Sequence, residues 1–72
     1  MKKAGLIPRA PVARLIAKAG AERVSNSAAG ALAEILEDIA LDISRQAVQI
    51  SRHAGRKTVN GGDVRLAGNS FF

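Results

Sequence analysis

Residues 25–55 read SNSAAGALAEILEDIALDISRQAVQISRHAG, and this stretch decides the fold. Leu32, Ile35 and Leu36, Ile39, Ile43, Ala47, Ile50 and Ala54 recur at the period of one helical face. Ser25 suits the cap of a helix start, and strong helix formers follow from Ala28. Nothing breaks the period before Gly55 except Gly30. That glycine costs about 1 kcal/mol against alanine and points to a close helix crossing. The pattern predicts one helix of about 28 residues, roughly 42 Å long. A compact chain of this size has a diameter of roughly 30 Å, so the helix overshoots its own domain. Ala29, Ala33, Ala40, Leu41 and Val48 add apolar surface beside the main stripe. One short helix before it and one after cannot cover all of that. The expected solution is two chains crossing along their central helices, each completing the other's core.

Reading outward, residues 1–10 form a basic arm with Lys2, Lys3 and Arg9, either a frayed terminus or a DNA-contacting tail. Residues 11–72 form the folded domain. Pro11 is expected to open a short helix, because proline suits the first turn. Val12, Leu15, Ile16 and Ala19 carry its apolar period, and Gly20 sits where a left-handed cap belongs. Arg14 and Lys18, four apart, share a face outside that stripe. On the other side, Arg56-Lys57-Thr58-Val59 is a connector. Asn60 is the next cap, with Asp63 near the positive helix end. Val64, Leu66 and Ala67 mark a third, short helix, weakened by Gly61, Gly62 and Gly68. The class is all-α: short helix, long helix, short helix.

Composition narrows the function. A core built from 72 residues usually needs disulfides, a metal or a second chain. No cysteine and a single histidine exclude disulfides and a Cys/His zinc site, which leaves oligomerisation. Eleven Lys and Arg against six Asp and Glu give a net charge of +5, which favours an anionic partner. With two Phe and neither Tyr nor Trp, the chain lacks the rings on which single strands stack. Phosphates and grooves of a duplex are the better match. No apolar run approaches the roughly 18 residues of a membrane span. Arg9 and Arg14 interrupt the apolar stretch after Lys2 and Lys3, against a signal peptide. A soluble, cytoplasmic protein without membrane association is expected.

Ala19-Gly20-Ala21-Glu22-Arg23-Val24-Ser25 and Arg52-His53-Ala54-Gly55-Arg56-Lys57-Thr58-Val59 closely resemble the two motifs of archaeal histones. The similarity runs from about Ile7 to Leu66. The resemblance implies a histone fold, a head-to-tail handshake dimer, and double-stranded DNA wrapped outside assembled dimers at the chromosome. Arg23 resembles the arginine that enters the minor groove, where negative potential is concentrated. Thr58 resembles the threonine that pairs with that arginine across the handshake. Lys57 and Arg14 resemble phosphate contacts. Lys18 adds charge to the same helix, and Ser25 with the amides behind it offers a phosphate site. Arg56 resembles a residue that forms a structural salt bridge to the aspartate matching Asp63; a DNA contact is the other reading. Ile50, His53, Asp63 and Leu66 are expected at the dimer–dimer interface. A solvated helix-end histidine is the plainer reading of His53.

No catalytic residue, cofactor or metal is expected. His53 has no cysteine partner and no visible Ser/Asp triad. Glu34, Glu37, Asp38 and Asp42 are spaced as one solvated helical face rather than an acid–base pair. The favoured function is sequence-tolerant binding of double-stranded DNA that is bent, wrapped or compacted into nucleosome-like chromatin. The alternative is a heterodimerisation module of a transcription-factor-like complex. The partner is a second copy, with another histone chain as the other option. The family stacks dimers through charges on the second and third helices. Gly61, Gly62 and Gly68-Asn69-Ser70 supply none, so dimer, tetramer and stacked assembly all stay open. So does the place of Phe71 and Phe72, under the dimer or exposed.

Overall fold

A computed structural model describes residues 5–72, which form α1 Arg9–Lys18, α2 Asn26–His53 and α3 Gly61–Phe71. No strand occurs among the described residues. The central helix has 28 residues. Lys2 and Lys3 of the basic arm lie outside the described residues. The chain divides into two compact units, residues 1–38 and 39–72, so each half of α2 belongs to a different unit.

In the first unit, α1 begins earlier than Pro11. It starts at Arg9, behind Pro8 in extended conformation (φ −64°, ψ 145°). Pro11 is therefore the third helical residue. Proline is tolerated there because amides of the first turn have no intrahelical acceptor. Arg9 and Ala10 accordingly belong to a helix rather than to an arm. At the other end, the Ala19 amide reaches the carbonyls of both Leu15 and Ile16 at 3.1 Å, and Gly20 donates to Ala17 at 2.9 Å. Gly20 has φ 124°, a conformation that side chains with a Cβ rarely adopt. Ser25 Oγ then accepts from the Ala28 amide at 3.0 Å, which caps α2. Among the described residues of this unit, Val12, Ala29, Gly30 and Ala33 are buried.

In the second unit, α2 ends at His53, and Gly55 just beyond it has φ 75°. α3 opens on a capping box: Asn60 Oδ1 accepts from the Asp63 amide at 3.1 Å, and Asp63 Oδ2 accepts from the Asn60 amide at 3.0 Å. This start outweighs the glycines. α3 continues through Gly68-Asn69-Ser70 and reaches Phe71. Ala47, Ser51, Asp63 and Ala67 are buried.

The buried apolar side chains among the described residues, one valine and four alanines, make a poor core. Among the described residues not one leucine or isoleucine is buried. Leu15 is 57% exposed, Ile35 54% and Leu66 56%. Aliphatic side chains of this size normally dominate a protein interior. A single chain leaves them partly or largely in water, which is the condition a second chain would relieve.

Candidate nucleic-acid interface

The second connector is held by a polar cluster built on one buried hydroxyl. Ser51 sits in the last turns of α2, one turn beyond Ala47 on the buried face. Its Oγ lies 3.0 Å from the carbonyl oxygens of both Arg56 and Thr58. One hydroxyl proton serves both, shared or alternating. The Arg56 amide returns a bond to the Ser51 carbonyl at 3.0 Å, which folds the loop back onto the helix end.

Arg56 then ties the loop to α3. Its guanidinium donates to both carboxylate oxygens of Asp63, at 2.9 and 2.8 Å, and Nη1 also donates to the Thr58 carbonyl at 3.1 Å. This is the bidentate geometry in which arginine binds carboxylates most firmly. Asp63 is buried and Arg56 partly so. The Arg56 hydrogen bonds, helped by the Asn60 amide, hold the Asp63 carboxyl down at about 2, below its usual 3.8, against the opposing effect of burial. The same contact with Asp63 raises the guanidinium of Arg56. The charge of Arg56 is thus engaged inside the chain.

The neighbouring residues are not so engaged. Lys57 and Thr58 are exposed, and the polar atom that Thr58 contributes to the cluster is its backbone carbonyl. Arg14 and Lys18 are exposed on α1, and Arg23 is exposed in the first connector. Among the described residues none of Arg14, Lys18, Arg23 and Lys57 has an ion-pair partner. Ser25 Oγ also lies 3.2 Å from Ser27 Oγ. Arg23 belongs to the first unit and Thr58 to the second, and the pairing assigned to them joins two different chains.

Of the residues assigned to dimer–dimer contact, His53 and Leu66 are exposed, Ile50 is partly buried, and Asp63 is 4% exposed. The carboxylate a neighbouring histidine would meet is therefore already occupied by Arg56 and Asn60. The acidic face of α2 is also engaged. Glu37 accepts from the Leu6 amide at 3.2 Å, and Asp42 pairs with Arg45 at 3.2 Å. Glu34 and Asp38 take part in polar interactions as well. No group of acidic, histidine or cysteine side chains among the described residues could hold a metal ion. No described helix is long and apolar enough to cross a membrane. Phe71 and Phe72 meet edge to face with ring centroids 5.1 Å apart, and Phe72 is 90% exposed.

Sequence reasoning missed Ser51, the hydroxyl that organises the second connector. A signal was present: a serine one turn from Ala47 on the face otherwise carried by apolar residues. A period counted on apolar residues alone passes over it.

Comparison with known proteins places this geometry in a family. The model of histone-like transcription factors (CBF/NF-Y) and archaeal histones matches residues 6–67. A subunit of the archaeal histone HAN1 from Thermococcus zilligii is 61% identical over 61 residues, covering 85% of this chain and 91% of that protein. Probable archaeal histone 3 of Methanocaldococcus jannaschii is 51% identical over the same length, with the same coverage of each chain. The chain therefore belongs to the family of histone-like transcription factors and archaeal histones, and its three helices are the all-α histone fold.

Proposed function

We propose that this chain is a DNA-binding histone that dimerises by handshake and bends, wraps or compacts duplex DNA into nucleosome-like chromatin. The observation that carries the DNA reading is a group of four exposed cations without a partner among the described residues: Arg14 and Lys18 on α1, Arg23 and Lys57 in the connectors. A guanidinium or ammonium left in water by its own chain is available to displace counterions from phosphates. Ser25 and Thr58 stand at the same connectors, and Arg23 is the residue suited to the minor groove. Arg56 supports the site indirectly, by fixing the loop that presents Lys57. None of these residues reads a base edge in a specific way, so binding tolerates sequence and favours easily bent DNA.

Dimerisation is supported by the leucines and isoleucines that the single chain leaves unburied. A second copy is the favoured partner. One relative is itself named a subunit, which keeps another histone chain as the second reading of the partner. Ile50, His53 and Leu66 provide the surface on which dimers would meet. The relatives named archaeal histones favour DNA packaging over a transcription-factor-like module. In this reading the protein has no catalytic role, works at the chromosome in the cytoplasm, and uses no membrane.

Duplex binding measured by fluorescence anisotropy across a salt series tests the proposal. Six phosphate contacts per dimer give a log–log slope of roughly −5. Arg23→Ala is expected to weaken binding and flatten the slope while the melting temperature holds. A flat salt dependence in the unmutated protein sinks the electrostatic mechanism. A folded monomer by light scattering at micromolar concentration sinks the handshake.

A further inference from the structure

Gly30 is buried in the first half of α2, and what approaches it is a side chain from the start of α1. A Cβ on Gly30 would stand 2.7 Å from Cζ of Arg9, 2.8 Å from Nη2 and 3.0 Å from Nε. Near-equal distances to three atoms of one plane mean that the guanidinium lies with its face across Gly30. Its N–H donors point outward in that plane, along the rim. The face is therefore packed while the rim is open. Among the described residues Arg9 makes no hydrogen bond and no ion pair.

Two depressions open beside this side chain. Arg9 shares one with Glu34 and Glu37, and the other with Val24, Ser25 and Asn26. Glu37 already accepts from the Leu6 amide, and neither carboxylate pairs with Arg9. The other depression leads to the first connector, where Arg23 and the Ser25 cap lie. An alkyl side chain would suit a purely packing role at this contact. A guanidinium laid flat with a free rim suits two oxygens of one anion, approached in its plane. Its position is set by the missing Cβ of Gly30, so less side-chain freedom is lost on binding.

We propose that Arg9 is a further phosphate-binding residue for duplex DNA, held in place by the notch at Gly30. The inference rests on the DNA-binding reading above and adds to it a contact outside the two connector motifs. Arg9 and Gly30 act as a pair: the arginine supplies the charge and the glycine supplies the orientation.

The test is duplex binding by anisotropy across a salt series, with circular dichroism melting as the folding control. Arg9→Ala is expected to weaken binding roughly tenfold. It should also flatten the salt slope by about 1.8 for the two copies in a dimer. Gly30→Ala leaves every charge in place, yet should weaken binding by a similar factor, because the new methyl displaces the guanidinium. The double variant should bind no worse than Arg9→Ala alone. Arg9→Lys keeps charge and stem but loses the flat face, and is expected between the two; it also serves where Arg9→Ala does not fold. Wild-type affinity in Gly30→Ala overturns the positioning by the notch. An unchanged salt slope in Arg9→Ala, while Arg23→Ala flattens it, overturns the phosphate contact. If the unmutated protein fails to bind duplex DNA, the DNA reading itself falls.

Discussion

The two connectors do similar jobs in opposite ways. The second, between α2 and α3, is built before any partner arrives: Ser51 holds its carbonyls, Arg56 clamps Asp63, and Asn60 closes a capping box. The first, between α1 and α2, has a left-handed glycine and a serine cap, and Arg23 and Val24 between them make no hydrogen bond among the described residues. The difference teaches what each loop's charge is for. Arg56 is held by its own chain and shapes a loop. Among the described residues nothing holds Arg23, which fits the role proposed for it on another molecule. A loop tied down in this way presents Lys57 and Thr58 in a fixed place, which suits the pairing proposed between Thr58 and Arg23 of a second chain.

Breaking the second connector at its clamp should have the largest effect. Asp63→Asn keeps the shape of the side chain and removes the charge that Arg56 grips. The fall in melting temperature is expected to exceed that of any other single substitution in either connector, since a buried hydrogen-bonded pair loses one member. The sign of the pH dependence follows from the depressed carboxyl. Unfolded, Asp63 titrates near 3.8; folded, near 2. The ionised form is the one the fold favours, so this stabilisation is fully present above about pH 4. It is lost as pH falls through about 2. Melting curves from pH 5 to 2 should show the unmutated protein losing stability across that window. Asp63→Asn should lose less over the same range. Parallel curves for the two proteins would remove Asp63 as the cause.

Ser51→Ala comes next. It leaves a loop carbonyl without its donor in a partly buried place, at a cost of about 1–3 kcal/mol. Urea unfolding reads this directly, with Thr58 losing part of its support and DNA binding weakening as well. At the first connector, Ser25→Ala removes a single cap, for about 1 kcal/mol. The comparison predicts this order, Ser51 above Ser25, because one residue supports a network and the other a single amide. A larger loss from Ser25→Ala would reverse the picture and make the first connector the rigid one.

How much of this was legible depends on where each cause sits. The long helix, the Ser25 cap and the Asn60 cap are local chemistry, written in neighbouring residues. The start of α1 misled because Pro11 suits any position in a first turn, and Pro8 had already set the entry. The third helix runs to Phe71 although Gly61, Gly62 and Gly68 each weaken it, because the capping box and the burial of Ala67 act together against them. The notch at Gly30 was legible as a close approach, but its occupant, Arg9, comes from a different helix and no period points to it. The cations Arg14 and Lys18 were legible as charges off the apolar stripe, and Arg23 through the motif of its connector. The partners proposed for them were not, because no residue of one chain writes a contact made with another molecule.

The smallest effects on stability are expected at the cations proposed to meet DNA. Arg23 and Lys57 are exposed and make no ion pair among the described residues. Arg23→Ala and Lys57→Ala should each shift the unfolding free energy by no more than about 0.5 kcal/mol. Each should flatten the salt slope of duplex binding by about 1.8 for the two copies in a dimer. Arg56 beside Lys57 should behave the other way: Arg56→Ala lowers stability strongly through Asp63, and whatever binding it loses follows from a loosened loop. The adjacent pair therefore separates two roles that charge alone makes look identical. If Lys57→Ala destabilises the fold as much as Arg56→Ala, the second connector uses both cations internally. The contrast between the two loops would then collapse.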